Sequence, residues 1–164
     1  SFDAMNFPAD FNDSTYAYVG RSEKLIRKGN ADPAIKDFAL YTATGTDTTK
    51  AVMATAGHYL LFFAKDFDGK APAWQELWSK IFMQAKEQGL PLLVLSNQPA
   101  AAQQWFNHTN HYAVPILTTD GTVMKTILRS PIGVVAMQGA KVAGKWSETD
   151  MNNVVQWMHQ LPTP

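Results

Sequence analysis

The sequence predicts an α/β fold built on a mixed β-sheet, and three observations support this. Residues 58–64 form a near-continuous apolar run, which is typical of a strand buried on both faces. Residues 74–85 carry apolar side chains at helical spacing. Residues 132–146 contain two apolar runs broken by a turn, which indicates a strand hairpin. A buried strand, an amphipathic helix and a hairpin therefore follow one another along the chain.

The longest predicted helix comes directly after the buried strand. Pro72 suits its first turn because a proline lacks the N–H that would have no partner there, and Gly89 marks its end. The next strand, residues 90–95, should run parallel to residues 58–64 because a helix connects them, with a right-handed crossover. The apolar stripe of the helix consists of Trp74, Leu77, Trp78, Ile81, Phe82 and Ala85.

The remaining elements of the main domain follow in the same alternation. A second helix should cover residues 99–106, followed by a strand at 113–117 and a short helix near Ile127. Pro131 then leads into the hairpin. Residues 147–150 have the spacing of a capping box, with Asp in place of Glu, and predict the start of a last helix. Its apolar face would consist of Met151, Val154, Val155 and Met158.

The chain divides into an N-terminal extension, residues 1–34, and a main domain, residues 35–164. The residue pattern of the extension predicts a β-hairpin with strands at 15–19 and 24–27. Residues 35–40 alternate between polar and apolar side chains, which favours a strand with one covered face. The chain opens on a serine, which is typical of a piece of a longer protein.

The overall composition argues against nucleic acid as a partner. The 14 basic residues balance the 14 acidic ones, so no net field would attract a polyanion. With 164 residues, 46% of them apolar, the chain can bury a core as one domain. Its apolar runs are far shorter than the ~20 residues that cross a bilayer, and we expect the given chain to be soluble.

The absence of cysteine is the most informative feature of the composition. The full sequence contains none, which excludes disulfides, thiolate nucleophiles, iron–sulfur clusters and cysteine-ligated zinc. His108 and His111 stand three residues apart, as two metal ligands might in a helix, but the sequence provides no third ligand. We therefore predict no metal site and no cofactor.

The order of strand, helix, proline and hairpin resembles a thioredoxin-like domain of the TlpA or peroxiredoxin type. In that family a cis proline precedes the penultimate strand and faces the redox cysteines, and Pro131 has the matching place. The resemblance implies a three-layer α/β/α sandwich with a mixed central sheet and, here, an N-terminal β extension.

The resemblance also implies where redox chemistry would occur. A thioredoxin-type oxidoreductase needs a cysteine at the start of the helix after the central strand, where the helix dipole favours thiolate. Residues 65–72 occupy that place and contain no cysteine, serine or threonine. We therefore expect a redox-inactive domain with no catalytic residue. The candidate residues for a partner-binding or ligand-binding face are Asp66, Phe67, Lys70, Ser130 and Pro131.

Several short segments resemble the C-terminal domain that follows the membrane helices of bacterial DoxX/MauE-like proteins. This resemblance implies a membrane domain N-terminal to the chain and a soluble domain on the periplasmic face of the inner membrane. The chain departs from that family's Ser-Asn-Pro-Gly pattern at Ser130, where the proline comes one residue earlier. The matching segments are residues 7–8, 13–15, 35–38, 120–122, 124–130, 133–135 and 144–146.

Two classes of function remain open on the sequence. The first is a non-catalytic interaction, docking or sensing module, which could bind a thiol-redox protein by the surface around Phe67 and Pro131. The second is a cysteine-independent peroxidase or transferase that uses the helix N-terminus near Asp66 and Lys70. Substituting Asp66 and Lys70 should abolish turnover in the second case and leave binding by a broader face intact in the first.

Overall fold

The computed structural model describes residues 38–161. The predicted hairpin at 15–19 and 24–27 lies outside the described residues, as do residues 35–37 of the strand predicted at 35–40. Within residues 38–161, no helix is both long and apolar enough to cross a membrane.

A mixed sheet of six strands forms the centre of the described region. Strands β2, β3 and β4 run parallel, whereas β5 pairs antiparallel with β2, β6 with β5, and β1 with β4. The spatial order is β1-β4-β3-β2-β5-β6, which places β2 inside the sheet. The strands are β1 (Tyr41–Thr42), β2 (His58–Ala64), β3 (Leu92–Leu95), β4 (Ile116–Thr118), β5 (Ile132–Gln138) and β6 (Lys141–Ser147).

Helices cover both faces of this sheet and complete three layers. Residues of α2, α5 and a π-helix share one buried cluster, and residues of α1 and α4 belong to a second cluster on the other face. This arrangement confirms the predicted α/β/α sandwich. The helices are α1 (Thr49–Met53), α2 (Gln75–Glu87), α3 (Pro99–Ala102), the π-helix (Gln103–Thr109) that continues α3, α4 (Gly121–Ile127) and α5 (Asn153–His159).

Strand β2 has the double burial that its apolar run predicts. Successive side chains of a strand point to opposite faces, so Leu60 and Phe62 pack in one cluster while Leu61 and Phe63 pack in the other. Each of the four side chains is at most 1% exposed. Phe63 therefore lies in the middle of the layer, and β2 forms the core of the fold.

The start of α2 differs from the prediction. Pro72 lies before the helix, and its carbonyl oxygen accepts a hydrogen bond of 3.1 Å from the N–H of Gln75. Residues 72–75 thus form a turn, and the helix begins at Gln75 with Trp74 as its N-cap residue. Its end agrees with the prediction, since Gly89 follows the last turn with a φ of 62°.

Other boundaries also differ from the sequence prediction, since β3 begins at Leu92 instead of residue 90 and β4 at Ile116 instead of residue 113. The described part of the strand predicted at 35–40 has no strand partner, because the backbone of Leu40 bonds instead to Thr48 and Thr49. Half of the predicted capping box at 147–150 forms: the Asp150 carboxylate accepts from the Ser147 N–H at 2.6 Å, but the Ser147 hydroxyl donates to Asp150 instead of accepting from its N–H. It closes a turn, however, and α5 begins only at Asn153.

Candidate functional site

Two loops meet where β2 ends and β5 begins. Ala64 pairs with Ile132 across these antiparallel strands, and the N–H of Lys65 donates to the carbonyl of Pro131 at 2.9 Å. The loop after β2 carries Asp66, Phe67 and Lys70, and the loop before β5 carries Ser130 and Pro131. The structure therefore brings both predicted segments to one end of the sheet, which we call the docking end (residues 65–72 and 128–131).

Asp66 is fixed at this end by a reciprocal pair of hydrogen bonds to Asn97. The Asp66 N–H donates to the Asn97 side-chain oxygen, and the Asn97 side-chain N–H donates to the Asp66 carboxylate, both at 2.8 Å. Asp66 has a φ of 50°, a left-handed conformation that aspartate tolerates better than most residues. The pair links the loop after β2 to the residues that follow β3.

Phe67 lies beneath the docking end. Its side chain is only 6% exposed, and its ring centre lies 5.6 Å from those of Trp74 and Trp105 and 5.9 Å from that of Phe106. Such aromatic contacts stabilise a core beyond the area that they bury. Phe67, one of the five residues predicted for the binding face, thus anchors the loop in the core and contributes little accessible surface.

Lys70 is exposed and forms an ion pair with Asp68. The ammonium nitrogen lies 3.1 Å from the Asp68 carboxylate, which also accepts a 3.0 Å hydrogen bond from the Lys70 N–H. These two hydrogen bonds, the backbone one foremost, lower the pKa of Asp68 below its ordinary value. The charge of Lys70 is therefore directed to Asp68, while the Asp66 carboxylate bonds to Asn97.

The loop before β5 is held by Lys65. Its ammonium group donates to the carbonyl oxygens of Leu128 at 3.1 Å and Arg129 at 3.4 Å. The Ser130 hydroxyl donates to the Ile132 carbonyl at 2.6 Å, and Pro131 is exposed. No peptide bond between residues 38 and 161 is cis, so Pro131 lacks the cis geometry that the family resemblance implies.

Lys65 and Asn97 both hold the docking end in place, and neither is among the five site residues that the sequence predicted. Asn97 follows β3, and β3 lies directly beside β2. The carboxyl ends of neighbouring parallel strands meet at one edge of a sheet, so the polar residues that follow them are natural site candidates. The predicted parallel pair of strands could have identified Asn97, whereas the reach of Lys65 to Leu128 depends on the folded chain.

The two histidines considered as metal ligands lie elsewhere. His108 and His111 are both exposed and flank the end of the π-helix. Within residues 38–161, no group of three or more His, Cys, Asp or Glu side chains could hold a metal ion. Neighbouring Asn107 has a structural role, since its side chain bonds to both the N–H and the carbonyl of Val114, at 2.9 and 2.8 Å.

Comparisons with known proteins identify the fold. No protein-family profile matches the chain, and no curated protein matches it. Several solved structures are similar to it. A thioredoxin-like protein from Aeropyrum pernix is similar with a TM-score of 0.53 at 10% identity, over 75% of this chain and 88% of that one. A thiol:disulfide interchange protein from Bacteroides sp. gives 0.51 at 9% identity, over 76% and 84% of the two chains.

A third similar structure is a secreted disulfide oxidoreductase from Mycobacterium tuberculosis, with a TM-score of 0.50 at 14% identity over 77% of this chain and 99% of that one. At such low identities the likeness establishes the fold alone. The chain has a thioredoxin-like fold, as its sequence predicted. Because it contains no cysteine, its own side chains offer no thiol for disulfide exchange.

Proposed function

We propose that the chain is a redox-inactive thioredoxin-like module that binds another protein through the docking end. One observation carries this proposal. In a chain without cysteine, the loop to which the thioredoxin resemblance assigns the redox residues is held by the Asp66–Asn97 hydrogen-bonded pair and by the buried ring of Phe67. The loop is thus anchored by several contacts, although it carries no thiol.

The surface of the docking end suits protein binding. Exposed residues of both charge signs, Asp66, Asp68, Lys70 and Arg129, lie on the same two loops as the exposed Pro131. The first loop is anchored by the ring of Phe67 in the aromatic cluster, and the second by the hydrogen bonds of Lys65 to the carbonyls of Leu128 and Arg129. A loop that is already ordered loses little conformational entropy when a partner binds, and this favours affinity.

The partners that we propose follow from the two resemblances. One is a membrane domain N-terminal to this chain, as in DoxX-like proteins, which would place the module at the periplasmic face of the bacterial inner membrane. The other is a thiol-redox protein that recognises the thioredoxin-like frame. The similarity to a secreted disulfide oxidoreductase supports an extracytoplasmic setting.

The contacts favour docking over the enzymatic alternative. A peroxidase or transferase using Asp66 and Lys70 together would need both groups directed at one substrate. In the structure Lys70 pairs with Asp68, and the Asp66 carboxylate bonds to Asn97. Each charged group is therefore engaged with a different neighbour.

Site-specific photocrosslinking in cells tests the proposal. A photoreactive amino acid replaces Lys70 or Pro131, and the matched control replaces exposed Lys86 on α2. We expect one discrete crosslinked protein from the first two positions and none from the third. The purified chain should also fail to reduce insulin in the presence of dithiothreitol beyond the rate of dithiothreitol alone. Equal crosslinking from all three positions, or measurable insulin reduction, would contradict the proposal.

A further inference from the structure

The two edges of the described sheet differ in their exposure. At one edge, β1 has only two residues, and the loop after it folds back so that Tyr41 bridges Asp47 and the Thr42 N–H donates to the Thr46 carbonyl at 2.9 Å. At the other edge, β6 has seven residues and pairs with β5 on one side only. Among residues 38–161, no strand pairs with the outer side of β6.

An unpaired strand edge is a row of backbone donors and acceptors that another strand can pair with. The outer side of β6 also presents apolar surface. Val142 is 63% exposed, although its cross-strand partner Met137 is only 5% exposed, so the helical layer on this face ends before it reaches β6. An incoming strand would cover Val142 while it pairs with the backbone.

The charges along β6 indicate which kind of strand would pair with its outer edge. Lys141 and Lys145 are exposed, and the strand itself contains no acidic residue. The salt bridge found among residues 38–161 joins Lys70 to Asp68, so no acidic side chain of the described residues neutralises either lysine of β6. Acidic side chains on an incoming strand would pair with both lysines.

We propose that the outer edge of β6 binds an extended, acidic segment of another protein, which adds to the sheet as a further strand. The same lysines disfavour a second copy of this chain, because two β6 strands paired edge to edge would bring the lysines of both copies together with no acidic residue on either strand. The bulge between Val142 and Gly144 further limits indiscriminate pairing at this edge. This surface is separate from the docking end and does not depend on it.

A peptide-binding experiment on the full chain tests this proposal. The probe is a short, capped peptide of alternating glutamate and threonine with a central valine, and its control carries lysine in place of glutamate. Hydrogen exchange should show that the acidic peptide slows exchange in residues 141–147. Anisotropy should show affinity at least about tenfold higher for the acidic peptide than for the basic one, and weaker binding as salt rises.

A charge reversal provides the matched variants. Lys141→Glu with Lys145→Glu should raise the Kd for the acidic peptide about tenfold. Lys80→Glu with Lys86→Glu, which reverses two exposed charges on α2, should leave that Kd unchanged. Equal binding of both peptides, or protection at residues other than 141–147, would overturn the proposal. Protection of β6 that rises with protein concentration in the absence of peptide would assign the edge to self-association instead.

Discussion

Asp66 and Asn97 hold each other through two hydrogen bonds of 2.8 Å, although 31 residues separate them in the sequence. The pair lies at the ends of adjacent parallel strands and fixes the loop that forms the docking end. Asn97→Ala should remove both bonds and lower the free energy of unfolding by about 1 kcal/mol. Urea denaturation followed by circular dichroism measures this change.

Asp66 offers a second test of the same pair. Asp66→Ala loses the side-chain bond and keeps a left-handed φ of 50° that alanine adopts poorly, whereas Asp66→Gly loses the bond but relieves that strain. The glycine variant should therefore be the more stable of the two. Equal stability of the two variants would show that the loop relaxes to a negative φ.

Phe67 should matter for folding more than for direct contact with a partner. Phe67→Ala removes a ring packed against Trp74, Trp105 and Phe106 and should lower the free energy of unfolding by about 3–5 kcal/mol. Lys70→Ala, on the same loop but exposed, should change it by no more than about 0.5 kcal/mol. Chemical denaturation compares the two variants, and similar losses in both would contradict the buried position of Phe67.

Ala113 has a φ of 54° in the segment between the π-helix and β4. An L-residue with a Cβ is strained in this conformation and glycine is not, so Ala113→Gly should raise the free energy of unfolding by about 0.5–1 kcal/mol. The control is Ala100→Gly in α3, which should lower it by about 1 kcal/mol because glycine weakens a helix. Thermal unfolding would refute the assignment if both glycines destabilise the chain.

Asp120 should make stability depend on pH. Its carboxylate caps α4 by accepting hydrogen bonds from the N–H groups of Thr122 and Val123, and these bonds lower its pKa. The folded state therefore holds a proton less tightly than the unfolded state. The resulting stabilisation is complete above the unfolded pKa of about 3.9 and is lost as the pH falls through the lower folded pKa.

Asp120→Asn removes the carboxylate charge but keeps a side-chain oxygen that can cap α4, since asparagine also caps helices well. Urea midpoints measured between about pH 6 and about pH 2 should fall more steeply for the unmodified chain than for this variant. Parallel curves for the two proteins would show that the carboxylate charge adds nothing to the neutral cap.

Elements defined by their own side chains were predicted well. The apolar run of β2 and the stripe of α2 depend on burial of consecutive or regularly spaced residues, and both elements form where the pattern places them. The start of α2 was wrong because Pro72 fits a helical first turn and an isolated turn equally well. The alternation at 35–40 was misleading for Leu40, whose backbone bonds to Thr48 and Thr49.

Features that depend on contacts between distant residues could not be predicted. The helix opened by Pro99 widens into a π-helix that ends at Thr109, and its apolar spacing alone does not encode this change. The pairing of Asp66 with Asn97 requires the register of β2 against β3, and the reach of Lys65 to Leu128 requires the position of β5. The sequence identified the loops of the site, whereas its internal bonds arise from tertiary structure.

The aromatic cluster beneath the docking end gives the protein a built-in optical probe. Three of its five tryptophans, Trp74, Trp78 and Trp105, lie in a single network of ring contacts with Phe106, and two of them contact Phe67. Indole emission responds to small changes in local polarity and ring packing. A molecule that settles on the loops above Phe67 would therefore alter the intrinsic fluorescence, and its arrival could be followed in real time without any attached dye.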